Sequence, residues 1–443
     1  MTSYWCELAW LGQGRAAAGV VLDVREGRFA TVRAGVDEPP GGAERLAGLT
    51  LPGLANAHSH AFQRALRGRT QGGGGTFWTW REQMYRLAER LDPDSYRSLA
   101  RAAYAEMALA GVTAVGEFHY LHHGAGGTPY ADPNEMGHAA VAAARDVGIR
   151  ISLLDACYLH GGIGEPLSAP QRRFSDGSAA AWVERVDALS QEDSALVGAA
   201  IHSVRAVDPA SAEVVAAWAA ARGRPLHAHV SEQRAENHAC LEAYGRTPTQ
   251  MLSDAGAFSS RFTAVHATHL DAVDESLLGA AAACCCVCRT TERDLADGTG
   301  RMRRVVDAGA SLALGTDSHA LVDLFEEARA VELDERLASG ERGHHSAAAL
   351  IHAASQGGHR CLGWTDAGRI APGARADLVT VALDGVRLAG TQPEQALDAV
   401  VFAGSAADVR HVIVDGRQVV RDGRHVSLDV ARELRDAIAG VAA

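Results

Sequence analysis

The decapeptide Leu51-Pro52-Gly53-Leu54-Ala55-Asn56-Ala57-His58-Ser59-His60 joins an apolar run to two histidines that are separated by one residue. We interpret the run as a β-strand, in which positions i and i+2 project to the same side. The imidazoles of His58 and His60 then point at one place, which suits a transition-metal ion. A lone His-x-His pair arises easily by chance, so the interpretation depends on further ligand-type residues at the ends of other strands.

The composition is typical of a globular protein with a large core: of 443 residues, 47% are hydrophobic and 22% are charged. The net charge of −12 and the lack of a lysine- or arginine-rich block argue against nucleic acid as a partner. The first residues do not have the pattern of a signal peptide, and no uncharged apolar stretch reaches the roughly 18 residues of a membrane span. We therefore predict a cytoplasmic protein that binds neither nucleic acid nor membrane.

The middle of the chain alternates short apolar runs with longer alanine-rich segments of helical pattern. Seven strands are expected to follow the one that carries His58, at residues 111–118, 149–154, 196–202, 225–229, 262–266, 283–287 and 311–315. Strands separated by helices indicate βαβ units on a parallel sheet, and eight of them close a barrel. We assign this α/β barrel, of the (β/α)8 TIM type, to residues 51–368.

Both ends of the chain differ from this middle. Residues 15–50 and about 369–430 have the pattern of short strands with glycine and aspartate turns, and Asp415-Gly416 is a hairpin signal. We predict that residues 1–50 and 369–443 together form one small, discontinuous β domain, with the barrel inserted between them.

In such barrels, catalytic side chains collect at the carboxyl ends of the strands. The residues at these ends that can bind a metal or transfer a proton are His58, His60, Glu117, Tyr120, His202, His229, His266 and Asp317. Three imidazoles and one carboxylate can bind a divalent metal and leave a position for water. Glu232 follows three residues after His229, as the chain turns out of the strand. His227 and His269 are rivals of His229 and His266 because their spacing is similar.

The order of His58-Ser59-His60, His229-x-x-Glu232, His266 and Thr316-Asp317-Ser318 resembles the amidohydrolase superfamily, and more narrowly its deaminase branch. The resemblance implies a distorted (β/α)8 barrel with a small β-sandwich built from both chain ends. It also implies one divalent metal per chain, held by His58, His60, His229 and Asp317. We expect Zn²⁺, with Fe²⁺ as an alternative, since availability and geometry decide more than the affinity order does. A homodimer is implied in the same way.

Further stretches resemble one family of that branch, the formimidoylglutamate deiminases of bacterial histidine degradation. They lie at residues 60–65, 76–82, 117–123 and 202–207, and the Phe-Trp-Thr-Trp-Arg segment at 77–81 is the most specific. This resemblance implies hydrolysis of N-formimino-L-glutamate to N-formyl-L-glutamate and ammonia. The residues at the family's substrate positions are Gln63, Arg81, Tyr120, His202 and Arg205. Arginine forks suit a small-molecule dicarboxylate substrate.

The expected chemistry follows from these residues. A bound divalent ion lowers the pKa of its water from 15.7 to about 7, so that hydroxide can attack the formimino carbon. We expect Glu232 to carry a proton to the imino nitrogen. His266 is expected to orient the hydroxide and stabilise the developing charge, and Asp317 to move a second proton.

One segment departs from the pattern of the family. Arg289 stands where the family usually has proline, and Asp294 stands where it has asparagine. We expect both residues to lie near the rim of the substrate pocket, where they either retune the substrate site or merely reshape a loop. The metal ligands are unchanged, so the departure bears on specificity before it bears on chemistry.

Two other interpretations stay open. A sibling deaminase that acts on an aminated, purine-type heterocycle would need ring stacking and amide contacts in place of two arginine anchors. A barrel without catalytic function would serve as an interaction scaffold, but such proteins generally lose ligands, and the set of ligand residues in this chain is complete.

Overall fold

The computed structural model describes residues 2–442 and contains two eight-stranded sheets. The strands of the mixed sheet are β1 (Thr2–Ala9), β2 (Ala17–Arg25), β3 (Arg28–Arg33), β4 (Glu44–Pro52), β13 (Leu378–Val381), β14 (Val409–Val414), β15 (Arg417–Arg421) and β16 (Arg424–His425). The strands of the barrel are β5 (Leu54–Ser59), β6 (Val112–His119), β7 (Arg150–Cys157), β8 (Ala195–Ile201), β9 (Leu226–Val230), β10 (Phe262–His266), β11 (Cys284–Val287) and β12 (Ser311–Leu314).

The barrel strands are parallel and follow one another in chain order from β5 to β12. The end of β12 meets the end of β5 through a parallel bridge between Ser59 and Asp317. The backbone N–H of His60 donates to the carbonyl of Asp317 at 3.1 Å, and the Asp317 N–H donates to the carbonyl of His58 at 3.0 Å. The predicted eight-stranded α/β barrel is confirmed, and it closes at the predicted metal ligands.

Fifteen α-helices lie within residues 2–442. They are α1 (Phe77–Arg90), α2 (Pro93–Leu109), α3 (Glu135–Val147), α4 (Ala179–Asp187), α5 (Pro209–Arg222), α6 (Arg234–Tyr244), α7 (Pro248–Asp254), α8 (Ala272–Ala280), α9 (Arg289–Asp294), α10 (Met302–Asp307), α11 (Leu324–Ser339), α12 (Ala347–His352), α13 (Gly358–Cys361), α14 (Ala396–Ala403) and α15 (Val430–Ala442). None of these helices has both the length and the apolar character that a bilayer crossing requires.

The two ends of the chain meet in the mixed sheet, as predicted. Strand β4 from the N-terminal segment pairs antiparallel with β13 from the C-terminal segment, with Leu51 opposite Val379. The sheet has its own apolar core, to which Phe29 contributes a fully buried ring. The predicted hairpin at Asp415-Gly416 joins β14 to β15, and both residues adopt the left-handed conformation that such a tight turn needs.

The chain crosses from the mixed sheet to the barrel at Gly53, between β4 and β5. A Cβ atom at this position would lie 2.5 Å from the Thr113 side chain, so glycine permits the close approach of the two sheets. Helix α15 packs on α2, where Glu433 pairs with Arg101. The division into 1–50 plus 369–443 and 51–368 stays a prediction, since this C-terminal helix contacts the barrel.

Candidate active site

The carboxyl ends of β5, β9, β10 and β12 bring the predicted histidines and aspartate together. Ligand atoms of His58, His229, His266 and Asp317 all lie within 4.8 Å of one another, and the four residues are buried. His58 Nε2 is 3.2 Å from His229 Nε2 and 3.3 Å from Asp317 Oδ1. His60 Nε2 lies 3.4 Å from the same aspartate oxygen. These four residues therefore surround one point at the closure of the barrel, and His60 lies beside it.

Hydrogen bonds of the outer ring nitrogens decide which atoms face this point. His60 Nδ1 donates to the carbonyl of Phe118 at 3.0 Å, and His229 Nδ1 donates to the carbonyl of His202 at 2.8 Å. In the neutral ring, the Nε2 atoms are then acceptors with a free lone pair. Lone pairs of imidazoles and a carboxylate oxygen repel one another unless a cation lies among them. The donor set therefore fits a divalent transition metal.

Burial keeps the imidazoles of the predicted ligands neutral. Loss of hydration, and then the neighbouring histidines, hold the pKa values of His58 and His229 well below the usual 6.5. The same two causes lower the pKa of His60 to about 3. Because neutral imidazole is the form that binds metal ions, these three rings need no deprotonation before ligation.

The surroundings of His266 are different. Its Nε2 lies 3.9 Å from Glu232 Oε1 and from Asp317 Oδ2, and its Nδ1 lies 3.5 Å from Glu292 Oε1. Burial acts to lower the pKa of His266, but these carboxylates outweigh burial and raise the pKa to about 10. Distance groups His266, and not His60, with His58, His229 and Asp317 as potential ligands. The contacts of His266 with three carboxylates set it apart from the other rings, and the predicted ligand set, which contains His60 instead of His266, stays a prediction.

The backbone is strained where these side chains leave the strands. His266 and Asp317 have φ angles of 67° and 46°, in the left-handed region that non-glycine residues rarely adopt. Such conformations cost on the order of 1–3 kcal/mol each and cluster at functional sites. The strain turns both side chains toward the closure of the barrel.

A cavity opens at the cluster. The predicted substrate residues Gln63, Arg81, Tyr120, His202 and Arg205 all line it, together with Glu232, His266 and Asp317. His58 lies beneath this lining. The structure thus places the predicted catalytic and substrate residues around one space.

Arg205 is buried and partly engaged by a predicted catalytic group. Its Nη2 donates to Glu232 Oε2 at 2.7 Å, and its Nε lies 3.9 Å from Glu236 Oε1. Its buried Nη1 has no hydrogen-bond partner in the described chain. Arg205 can therefore fix Glu232 and still offer one donor to a ligand.

Arg81 also lines the cavity, on helix α1. The aromatic residues before it belong to this helix and not to a loop: Phe77 begins the helix, and the Thr79 hydroxyl accepts the backbone N–H of Thr76. The Arg81 guanidinium carbon lies 4.5 Å from the Trp78 ring centroid. Within residues 2–442, no carboxylate lies within ion-pair distance of Arg81, so its charge is free for an anionic ligand.

Among the other polar residues that line the cavity, Gln63 also has an atom that is free to bind a ligand. Gln63 Nε2 donates to the Tyr120 hydroxyl at 3.0 Å, whereas the buried Gln63 Oε1 has no partner among the described residues. This oxygen can accept an N–H group of a ligand. His202 Nδ1 lies 3.1 Å from the Ser203 hydroxyl, beside the carbonyl that holds His229.

Sequence reasoning missed the residues that hold the His-x-His segment. The Ser59 hydroxyl donates to Glu117 Oε2 at 2.7 Å, and the Ala61 N–H donates to Glu117 Oε1 at 2.8 Å. Asn56 Nδ2 donates to the Thr316 hydroxyl at 2.7 Å, which joins β5 to the segment after β12. Burial is the main cause that raises the pKa of Glu117 to about 7. The position of Glu117 at a strand end was the signal that could have indicated its role.

The expectation that Arg289 lies at the rim of the pocket is wrong. Its side chain is 1% exposed and pairs with Glu292 at 2.8 Å, away from the lining of the cavity. Asp294 is closer to the expected place, since its carboxylate accepts a hydrogen bond from Gln71 at 2.9 Å next to the lining residue Leu295.

The rival histidines have other partners. His227 Nε2 lies 3.0 Å from the carbonyl of Cys361, and His269 Nε2 lies 2.8 Å from the carbonyl of Asp297. Neither residue lines the cavity. The structure therefore places the preferred residues, His229 and His266, at the site.

A second group of potential ligands, His119, His122 and Asp155, lies below the surface. Arg185 already donates to both oxygens of Asp155, at 2.8 and 2.7 Å, and Trp182 donates at 2.8 Å. A divalent cation would have to displace a buried guanidinium. We interpret this group as part of the core.

The fold and the cluster are those of one hydrolase class. The amidohydrolase family model matches residues 49–419, and the chain belongs to this family. A formimidoylglutamate deiminase from Pseudomonas aeruginosa is 38% identical over 438 residues, which cover 96% of each chain. A 5-methylthioadenosine/S-adenosylhomocysteine deaminase from Natronomonas pharaonis is 28% identical over 392 residues, which cover 88% of this chain and 85% of the relative. The crystal structure of an amidohydrolase from Brucella melitensis superposes with a TM-score of 0.90 at 32% identity and covers 100% of both chains.

Proposed function

We propose that this protein is a formimidoylglutamate deiminase, which hydrolyses N-formimino-L-glutamate to N-formyl-L-glutamate and ammonia. The observation that carries the proposal is that one cavity holds the His–Asp cluster and two guanidinium groups, Arg81 and Arg205. The substrate has a reactive amidine at one end and two carboxylates at the other, and the cavity has matching groups for both. The similarity to the Pseudomonas enzyme over 96% of the chain supports the same reaction.

The residues that hold the metal in this proposal are His58, His60, His229 and Asp317. Three neutral imidazoles and one carboxylate suit Zn²⁺, and Fe²⁺ is the alternative. When bound, such an ion supplies an activated water at neutral pH.

Glu232 and Asp317 divide the proton transfers. Arg205 holds Glu232 Oε2 at 2.7 Å, so Oε1 is the atom that carries the first proton of the water to the imino nitrogen. Asp317 Oδ1 faces His58 and His60, and Oδ2 faces His266. Asp317 takes up the second proton of the water and passes it to the same nitrogen, so that the C–N bond breaks and ammonia leaves. His266 stabilises the negative charge that develops on the water-derived oxygen as it adds to the formimino carbon.

The other end of the substrate lies against the arginines. Arg81 and the free Nη1 of Arg205 bind the two carboxylates, in charge-assisted hydrogen bonds. Gln63 Oε1 accepts the N–H group that joins the formimino carbon to the glutamate. Tyr120 and His202 complete the wall that orients this group.

A second candidate is a deaminase of a purine-type heterocycle. The cavity is rich in aromatic side chains, among them Phe77, Trp80, Tyr85 and Phe174, which could stack on a planar ring. The 28% identity to a nucleoside deaminase supports this alternative more weakly than the 38% identity to the deiminase supports the first.

Ammonia release by metal-replete protein tests these proposals. The substrates are N-formimino-L-glutamate, its shorter aspartate homologue, guanine and adenosine. We expect fast release from the glutamate compound alone. Turnover of a heterocycle without turnover of the glutamate compound would agree with the proposed metal site. It would reject the proposal that Arg81 and Arg205 bind the carboxylates of the substrate.

We also propose that the protein acts in the cytoplasm, in histidine degradation, as a homodimer. The family resemblance supports these statements. Light scattering on purified protein tests the dimer, and a mass of 46.5 kDa, that of one chain, would contradict it.

A further inference from the structure

A buried ion pair lies behind His266. Arg289 begins α9, and Glu292 follows one turn later on the same face of the helix. Both side chains are 1% exposed, and Arg289 Nη1 lies 2.8 Å from Glu292 Oε2. Arg289 Nη2 also donates to the carbonyl of Gly300 at 2.9 Å. The guanidinium is thus held on two sides, and neither residue lines the cavity.

The other carboxylate oxygen of Glu292 faces the active site. Glu292 Oε1 accepts the backbone N–H of Cys288 at 3.0 Å and lies 3.5 Å from His266 Nδ1. The far nitrogen of that ring, Nε2, faces Glu232 and Asp317 in the cavity. Arg289, Glu292 and His266 therefore form a chain of contacts that leads from the core to the site.

We propose that Arg289 is a positioning residue for His266. It balances the charge of Glu292 and fixes its carboxylate. This carboxylate contacts His266 Nδ1 at 3.5 Å, an atom without a hydrogen-bond partner among the described residues, and directs Nε2 toward the substrate. A buried carboxylate without a cationic partner is strongly unfavourable, so loss of Arg289 disturbs Glu292 before anything else. The inference rests on the proposed function for its kinetic test.

The kinetic test compares Arg289→Met, which keeps the length and removes the charge, with Arg289→Lys, which keeps the charge. With N-formimino-L-glutamate as substrate, we expect Arg289→Met to lower kcat about 10- to 100-fold, as residues that orient a catalytic group do. KM and the metal content per chain are expected to change less than about twofold, because neither substrate nor ligands contact Arg289. Arg289→Lys should recover most of kcat.

The matched control is Arg293→Met, on the same helix. Arg293 pairs with Asp334 at 2.7 Å on the exposed side of α9 and should leave kcat unchanged when replaced. Wild-type kcat in Arg289→Met would overturn the proposal. An equal loss of kcat in Arg289→Met and Arg289→Lys, together with loss of bound metal, would also overturn the proposal, since it would show that Arg289 has only a structural role.

Two further measurements keep the test decisive. If Arg289→Met does not fold, the double variant Arg289→Met/Glu292→Gln removes both charges, and a wild-type kcat in this variant would overturn the proposal. If the wild type itself does not turn over N-formimino-L-glutamate, the proposed function fails and NMR replaces kinetics. The ring ¹⁵N shifts of His266, assigned with His266→Asn, should differ between wild type and Arg289→Met, or between wild type and the double variant if Arg289→Met does not fold, and identical shifts would overturn the proposal.

Discussion

Arg81 and Arg205 carry the same charge in one cavity, but their surroundings give them different tasks. Arg205 is buried against Glu232, at 2.7 Å, so its loss also leaves a catalytic carboxylate without a partner. Arg81 stacks on Trp78 and has no carboxylate partner among the described residues. Replacement of Arg205 should therefore lower kcat and raise KM together, whereas replacement of Arg81 should act on binding.

We expect Arg81→Ala to raise KM for N-formimino-L-glutamate about 10- to 100-fold, the worth of one hydrogen bond to a charged group. The value of kcat should change little, because Arg81 contacts neither Glu232 nor the metal ligands. Arg86→Ala, at an exposed position of the same helix, is the control and should behave as wild type. A KM that does not change in Arg81→Ala would remove Arg81 from the binding site.

Asp317→Asn keeps the size of the side chain and removes both its charge and its capacity to accept a proton. We expect kcat to fall about 10²- to 10⁴-fold, the range for loss of a general acid–base group, and the metal content to fall as well. Steady-state kinetics and elemental analysis on the same sample measure both effects. More than a tenth of wild-type kcat at full metal content would show that Asp317 moves no proton.

At the scale of the elements, the ends of β5 and β12 are packed too closely for any side chain at Gly315. A Cβ atom there would lie 2.7 Å from the Cβ of His58 and 2.8 Å from the Sγ of Cys288. Gly315→Ala should push the strand ends apart, cost about 1–3 kcal/mol of unfolding free energy and reduce metal binding.

The control for Gly315→Ala is Gly72→Ala, where a Cβ atom has no neighbour within 4 Å. Denaturant unfolding and metal analysis of both variants test the prediction. Full metal content and unchanged stability in Gly315→Ala would show that the closure of the barrel tolerates the added methyl group.

At the scale of the whole molecule, one buried ion pair ties the barrel to the β domain. Arg150, at the start of β7, donates to Asp377 Oδ1 at 3.0 Å, directly before β13. The free energy of unfolding should fall by about 3–5 kcal/mol in Arg150→Met, because a buried carboxylate loses its partner. Arg97→Met, which breaks the half-exposed pair with Asp146, should cost less than about 1 kcal/mol.

The same pair predicts a pH dependence of stability. Burial acts to raise the pKa of Asp377, but Arg150 outweighs it, so the pKa in the folded protein is below the usual value. The unfolded chain therefore binds more protons in acid, and the stabilisation is lost as the pH falls below about 4. The free energy of unfolding of wild type and Arg150→Met is measured between pH 5 and pH 3. An equally steep decline in both proteins would show that the Arg150–Asp377 pair does not cause the pH dependence.

The sequence predicted the barrel, and it placed the candidate histidines and Asp317 at strand ends that meet, because parallel strands place their carboxyl ends at one rim. Asp317 could be found from the strand that it follows. The contact of Asn56 with Thr316 could not be found, since 260 positions separate these residues and only the closed barrel brings them together. Arg289 was misplaced for a local reason: α9 begins at this residue and turns its side chain inward to Glu292.

The most direct test is ammonia release from N-formimino-L-glutamate as a function of bound metal, with protein that is first stripped by a chelator and then reloaded with Zn²⁺. We expect the rate to rise linearly to one ion per chain and then to level off, with N-formyl-L-glutamate as the other product. No ammonia at one ion per chain, with rapid turnover of guanine or adenosine instead, would contradict the proposed substrate and leave only the metal cluster and the fold.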